Sequence, residues 1–515
     1  MTARPSRPTP SYLFPAAIAL LVAARLLLQF IIYRAGFRAL TGDDFGRVIA
    51  AAQWALHPEG IWQGPWLPFY TYGLGALLRV DWDLYYLPRA LALVFGSASL
   101  IIVGFLTARL FGRRITGVLA AALLGVNPAH LWLSQVPLTE IFFFALLAGA
   151  ALAVVTWAHA GRNLWLAGAT LLLTLASGVR VEGWLFAATL GAALVVTVVP
   201  SLRRGDWRGA WPRLAAAVAL AVVPLTWLAS NWAVTHDPLY FINVTRGFDQ
   251  QWYGAAYTYQ PYLQVAWRLD PLALILLPVA LIFGLVAARR KGPLRWYLLL
   301  AVVPFALYAV LQGGQVQPPG NFIRYLAVFQ FLFYPLLAGL LLWLVHLRPR
   351  LWPWPAAALA LVVVWVAVRQ VNAALQFDND PAAGGLRAGQ WLRQQGIDPS
   401  GPTVLLELNY WQYLAVHTGA NDLTHMLYDR PLDFTHMNDS ASLLAGNPDL
   451  LRACVAAYHL RYIVVAAPEL RALVEDTLGI TETERLDGYS VYRLTEPAPE
   501  APAGVQCTLP LGTGY

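Results

Sequence analysis

Between residues 12 and 369 the chain is a succession of apolar runs, many close to the length of a membrane span, joined by short segments that carry its arginines. A helix needs roughly 20 apolar residues to cross the hydrocarbon core of a bilayer. Read with a window of roughly 19 residues, the sequence predicts about eleven spanning helices. They fall near 12–32, 87–110, 115–128, 138–158, 163–178, 183–199, 213–234, 270–288, 295–312, 322–346 and 353–369. The third and fifth are short, which a helix tolerates where its ends are buried against neighbours. The first run lacks a small-residue cleavage site and reads as an uncleaved helix rather than a signal peptide.

Composition agrees. Hydrophobic residues make up 58% of the 515 residues and charged residues 12%. A soluble domain carries about 25% charge, so lipid must be the solvent over much of this chain. The net charge is +7, and arginine supplies nearly all the positive charge, Lys291 being the only lysine. In a soluble protein such a balance would suggest nucleic acid. Here the arginines lie mostly in turns between apolar runs, among them those at 109, 113, 114, 162, 203, 204, 208, 213, 289, 290, 295, 348 and 350, with Arg4 and Arg7 before the first run. That is the positive-inside pattern of a multi-pass protein of the plasma membrane with its N-terminus inside. It excludes a nucleic-acid partner as the reason for the charge. It also puts outside the loop at about 33–86, the loop at about 235–269, the turns near 129–137, 179–182 and 313–321, and everything after about Arg369.

The first outer loop is more than a linker. Residues 43–56 and 66–78 read as amphipathic helices lying in the interface, where Trp and Tyr rings prefer to sit. From about residue 370 the long apolar runs stop. A helix over 385–395, strands at 403–408, 462–466 and 489–494, and a helix over 468–478 predict a small extracytoplasmic α/β domain. The expected organisation is thus a membrane domain over 1–369, the α/β domain over 370–495, and a Pro/Ala-rich disordered tail over 496–515. Cys454 and Cys507 have no metal-ligand spacing around them; a disulfide and two separate thiols both fit.

Several outer positions could carry chemistry. Asp43 and Asp44, adjacent in Thr41-Gly42-Asp43-Asp44, could be a general base with a partner, or simply the acidic first turn of a helix. Glu140 in Thr139-Glu140 heads an apolar helix, where a carboxylate is costly unless paired or bound to a cation. Arg180 and Glu182, in Ser177-Gly178-Val179-Arg180-Val181-Glu182-Gly183, could pair with each other, or Arg180 could reach an anion. Arg324 and Tyr325 open a late helix; an arginine there can grip a phosphate or snorkel. His236 follows the seventh span, as a ligand, an acid or a plain loop residue. Tyr240, Trp252, Tyr253, Tyr257 and Tyr259 make its loop aromatic, for anchoring or for stacking on a sugar. No P-loop, GxGxxG, HExxH, GxSxG or CxxC site stands in a fitting context, so no nucleotide cofactor is expected.

In order and in their shared outer location, Gly42-Asp43-Asp44-Phe45, Gly64-Pro65-Trp66-Leu67-Pro68-Phe69, Thr139-Glu140, Arg180-Val181-Glu182-Gly183 and Arg324-Tyr325 resemble a known family. It is the GT-C type of polyprenyl-phosphate-sugar-dependent glycosyltransferases, the group that includes protein O-mannosyltransferases and lipid A aminoarabinose transferases. The resemblance covers about residues 12–346. It implies transfer of a sugar, with inversion, from a polyprenyl-phosphate donor to an extracytoplasmic lipid, glycan or protein acceptor. It implies Asp43 as catalytic base with Asp44 as helper or alternative, and Arg324, Arg180 and Tyr325 at the donor phosphate. It implies Glu140, with Glu182 and His236 as further candidates, at the acceptor or a divalent cation such as Mg or Mn. The sequence departs from the common form in having Asp44 where Glu is usual and Gly64-Pro65-Trp66-Leu67-Pro68 where a His-Pro-Pro stretch is usual. A lipid-linked sugar transporter or flippase would want ionisable residues inside the spans, which look nearly free of them. No internal repeat supports that reading. A polysaccharide polymerase or ligase would lean on large outer loops such as 235–269.

Overall fold

The computed structural model describes residues 12–253, 267, 271–312, 319–346, 368, 380–397, 401–407, 412–423, 425–430, 441–494 and 500–511. Contacts divide the chain into two compact units. One takes residues 1–37, 61–70 and 91–376; the other takes 38–60, 71–90 and 377–515.

The first unit is helical. Its elements include α1 (Leu13–Arg34), the greater part of α4 (Tyr86–Phe111), α5 (Arg114–Gly125), α6 (Pro128–Leu133), α7 (Thr139–Ala160), α8 (Asn163–Val179), α9 (Glu182–Arg203), α10 (Trp207–Thr235) and α11 (Tyr240–Tyr253). They continue with α12 (Pro271–Ala288), α13 (Gly292–Gln312), α14 (Pro319–Phe331) and α15 (Tyr334–His346). Among the described residues, seven helical stretches are long and apolar enough to cross a membrane. The chain is an integral membrane protein. The apolar window of α7 is 78% buried and that of α1 only 22%, so α7 is enclosed by its neighbours and most of α1 is left exposed. The expected run 322–346 divides at residues 332–333 into α14 and α15. Two helices of this unit were not foreseen, α6 and α11. Asn127 caps the first by accepting a hydrogen bond from the His130 amide, with Pro128 at its first position. The expected span 353–369 lies, but for Val368, outside the described residues.

The second unit collects α2 (Gly42–Leu56), most of α3 (Pro68–Leu78), α16 (Asp380–Gln395) and α17 (Gln412–Ala420), with α18 (Pro448–Tyr458) and α19 (Pro468–Leu478). These accompany a five-stranded sheet of β1 (Val404–Leu406), β2 (Met426–Tyr428), β3 (Tyr462–Val465), β4 (Glu484–Leu486) and β5 (Tyr489–Arg493). The strand order is β2-β1-β3-β5-β4. β1 runs parallel to β2 and β3, whereas β5 is antiparallel to β3 and β4. The parallel strands are buried throughout and read as short apolar runs, as central parallel strands should. Helices α16 and α17 approach closely: a Cβ on Gly389 would lie 2.1 Å from the Val416 carbonyl oxygen.

Helix α2 is amphipathic, with Phe45, Val48, Ile49 and Ala52 buried, and it packs against α17. Just before α4, the loop is clasped by Asn421, which takes the left-handed conformation at φ 59°. Its amide donates to the Trp82 carbonyl at 2.9 Å and accepts from the Leu84 amide at 2.8 Å, while the Trp82 indole donates to the Asn421 carbonyl at 3.0 Å. Asn is among the few non-glycine residues that adopt this conformation readily. Within the segment expected to be a disordered tail, residues 500–511 run back onto the domain. Cys507 forms a disulfide with Cys454, Leu509 is buried, and Leu511 bridges to Leu427.

Candidate active site

In the helical unit, two helices begin on an acidic first turn. Glu140 is the second residue of α7 and Glu182 the first of α9. Carboxylates are favoured there because the N-terminal amides and the helix dipole present positive charge. Arg180, in extended conformation between α8 and α9, joins them. Its Nη1 lies 2.7 Å from Glu140 Oε1 and donates to Thr139 Oγ1 at 3.0 Å. Its Nε and Nη2 grip Glu182 at 3.1 and 2.6 Å, a two-point contact that suits the planar guanidinium. Arg324, on α14, brings its Nε to 3.5 Å from the same Glu140 oxygen. All four side chains are buried, Glu140 at 1% exposure. The cluster balances two carboxylates with two guanidinium groups, as a buried charge network must.

Two contacts set its backbone. The Tyr70 hydroxyl donates to the Pro137 carbonyl at 2.6 Å, fixing the turn that leads into α7. Gly178, two residues before Arg180, lies against Phe69, where a Cβ would fall 2.1 Å from a ring carbon. The Pro-rich stretch singled out in the sequence therefore packs directly under the Arg180 turn.

In the second unit, Thr41, Asp43 and Asp44 open α2. Asp44 is at position N3 and accepts from the Thr41 amide at 3.1 Å, completing a capping box with the Thr41 side chain. Its other oxygen is 2.7 Å from Arg89 Nη2. Arg89 lies 4.1 Å over the Tyr85 ring and 5.7 Å from the Phe45 ring, so π-faces flank the ion pair. Asp44 is fully buried, whereas Asp43 is partly exposed. Burial pushes the Asp44 carboxyl up to about 7, against the pull of the Arg89 guanidinium and the Thr41 and Phe45 amides.

The structure thus brings Glu140, Glu182, Arg180 and Arg324 into one cluster, and it gives Asp43 and Asp44 different surroundings. Tyr325 shares α14 with Arg324, but its side chain lies outside the described residues. His236 is exposed and ends α10 in the left-handed conformation at φ 59°. Much of the aromatic loop, with Tyr257 and Tyr259, lies outside the described residues. Among the described residues no three His, Cys, Asp or Glu side chains converge as metal ligands would. Glu140 and Glu182 are instead engaged by arginine, an arrangement that does not fit a cation site. The sequence reading missed Arg89. Its signal was there: a lone charge in the first turn of an apolar run needs a partner.

No sequence family and no curated protein matches the chain. Solved structures do. ArnT from Cupriavidus metallidurans in the apo state superposes with a TM-score of 0.58 at 15% identity, covering 93% of this chain and 97% of that one. The same protein bound to undecaprenyl phosphate gives a TM-score of 0.59 at 14% identity, over 94% and 99% of the two chains. The likeness spans essentially the whole of both chains and is one of fold.

Proposed function

We propose that this protein is an inverting membrane glycosyltransferase that moves a sugar from a polyprenyl-phosphate donor to an extracytoplasmic lipid, glycan or protein acceptor. One observation carries the reading: a fold shared from end to end with a protein solved bound to undecaprenyl phosphate. A lipid-linked donor also agrees with a chain that offers no nucleotide motif.

In this reading Asp43 is the base. It takes the proton from the acceptor nucleophile, which attacks the anomeric carbon from the face opposite the phosphate. The bond from that carbon to the phosphate oxygen breaks, and the electron pair leaves with the lipid phosphate. Arg180 and Arg324 stabilise the charge that grows on the departing phosphate, an effect strongest where water is excluded. Tyr325 stands beside them in sequence. Asp44 is the helper rather than the base, since its two oxygens are taken by the Thr41 amide and by Arg89. Glu140 and Glu182 hold the arginines in place, and we assign the phosphate to those arginines rather than to a divalent cation. His236 would act from the loop after α10 on the acceptor.

The catalytic side is the extracytoplasmic one, with the N-terminus inside. The positive-inside arginines support that orientation, and so does the Cys454–Cys507 disulfide, a bond that persists in oxidising compartments. The organisation proposed is a membrane catalytic domain over 1–369 and an extracytoplasmic α/β domain after it, to which the first-loop helices contribute. Incubating the purified protein with a panel of polyprenyl-phosphate sugars and candidate acceptors, followed by mass spectrometry, tests the assignment. Release of polyprenyl phosphate with gain of a sugar on an acceptor is expected. Movement of intact donor between leaflets without transfer would replace this reading with that of a flippase.

A further inference from the structure

Five residues of α1 are buried: Phe14, Ile18, Arg25, Gln29 and Ile32. They form one inward stripe on a helix that otherwise faces outward. Two of the five are polar and stand one turn apart, so they share a face. Arg25 is 6% exposed and Gln29 is 4% exposed. A cation in the body of a spanning helix departs from the expectation of spans nearly free of charge, and such a residue needs a partner.

Among the described residues the guanidinium makes one hydrogen bond. Its Nη2 donates to the His130 carbonyl at 3.3 Å. Its Nε and Nη1 have no hydrogen-bond partner among the described residues, and neither does Gln29 Nε2. All three atoms are donors. Among the described residues no Asp or Glu pairs with Arg25. The polar groups beside it are committed to one another. Ser99 Oγ meets His130 Nε2 at 2.8 Å, Ser134 Oγ donates to the His130 carbonyl at 2.5 Å, and Asn127 Nδ2 donates to the Tyr334 hydroxyl at 2.7 Å. Arg25 and Gln29 thus bring a positive charge and three buried donors that no acceptor among the described residues meets.

We infer that Arg25 and Gln29 form an anion site within the helical unit, built for the phosphate of a membrane lipid. The guanidinium supplies the charge and two donors, and the Gln29 amide supplies another. Phosphate is the chemistry that matches: several acceptor oxygens, a negative charge and, on a lipid, acyl chains that stay in the apolar surroundings of α1. This site uses none of the residues of the Arg180–Arg324 cluster and does not depend on the transfer reaction.

The test uses the full-length protein, purified in neutral detergent and stripped of lipid. Binding stoichiometry is measured for dihexanoyl phosphatidic acid, for inorganic phosphate and for uncharged dihexanoylglycerol. Arg25→Met is expected to remove one bound equivalent of the phosphatidic acid, and Gln29→Leu to weaken that equivalent about tenfold. Dihexanoylglycerol is expected to leave the site empty. Unchanged stoichiometry and affinity in both variants would overturn the site and leave Arg25 as a structural donor to the His130 carbonyl. Inorganic phosphate binding as tightly as the lipid would overturn the lipid assignment. Should Arg25→Met fail to fold, Gln29→Leu and Arg25→Lys carry the same measurement. No arm needs transferase activity, so failure here and failure of the transfer reading are distinguishable.

Discussion

The Arg89 guanidinium holds the Asp44 carboxylate at 2.7 Å while lying 4.1 Å over the ring of Tyr85. That relationship separates two neighbouring aspartates that look equivalent in the sequence. Asp43→Asn is expected to lower transfer by about 10²–10⁴-fold, the usual contribution of a general base. Asp44→Asn keeps an acceptor for the Thr41 amide and should lose far less. Initial rates of sugar transfer by the two variants, at matched expression and melting temperature, check the assignment. The reverse ranking would make Asp44 the base.

Asp44 also predicts a pH dependence of stability. Burial raises its carboxyl to about 7 in the folded protein, while an unfolded chain releases that proton near pH ~4. Between those values the folded state holds a proton that the unfolded state has lost. This contribution to stability is complete below about pH 4 and disappears as pH rises through about 7. The melting temperature of wild type minus that of Asp44→Asn should therefore fall from pH 4.5 to 7.5. Arg89→Met, which removes the charge that opposes the upward shift, should carry the decline above pH 7.

Removing Arg180 leaves Glu140 and Glu182 buried without their shared partner. Taking one side from a buried ion pair costs about 3–5 kcal/mol. Arg180→Met should lower the detergent melting temperature sharply, and Arg180→Met combined with Glu182→Gln should recover part of the loss. If the single variant melts like wild type, the cluster does not hold α7 and α9 as described.

Gly178→Ala should disturb the Arg180 turn through Phe69, whose ring carbon stands 2.1 Å from the new Cβ position. Overpacking of this kind costs about 1–3 kcal/mol. Gly168→Ala, on the same helix α8 but with nothing within 4 Å of its Cβ position, is the control and should be neutral. Thermal stability of the two variants and their KM for donor report the difference.

Reducing the Cys454–Cys507 disulfide, or replacing both residues with Ser, should destabilise the second unit by about 2–4 kcal/mol for a closure between residues 53 apart. In whole cells both thiols should resist a membrane-impermeant maleimide until a reductant is added. Labelling without reduction would show the two thiols unpaired on the outer side, and no labelling even after reduction would place the domain inside.

How much of this was legible in the sequence follows from what each signal measures. Apolar length set the borders of α1, α4, α7 and α8 to within a few residues, because lipid imposes length directly. α6 and α11 were missed because one is only six residues long and the other sits in a loop whose aromatic residues masked its helical period. The acidic starts of α7 and α9 were visible, but their union through Arg180 is a contact between distant segments that spacing does not encode. Asp44 read either as half of a catalytic pair or as part of an acidic helix start; the capping box was written in Thr41 and Asp44, but Arg89 lies 45 residues on. Arg25 was overlooked because one charge barely lowers the mean hydropathy of a run of 22 residues, although a single buried guanidinium decides what can pack there.

The second unit is assembled from both ends of the chain, with α2 lying on α17 and Trp82 clasped by Asn421. Its first pieces leave the ribosome before residues 91–376 are made, and its last pieces after them. At about 5–20 residues per second the wait is on the order of tens of seconds. Throughout it the apolar side of α2, with Phe45, Val48 and Ile49, has no α17 to cover it. Biogenesis must shelter that surface, against the bilayer or a chaperone, and a C-terminal fragment expressed alone would lack the helix that completes it.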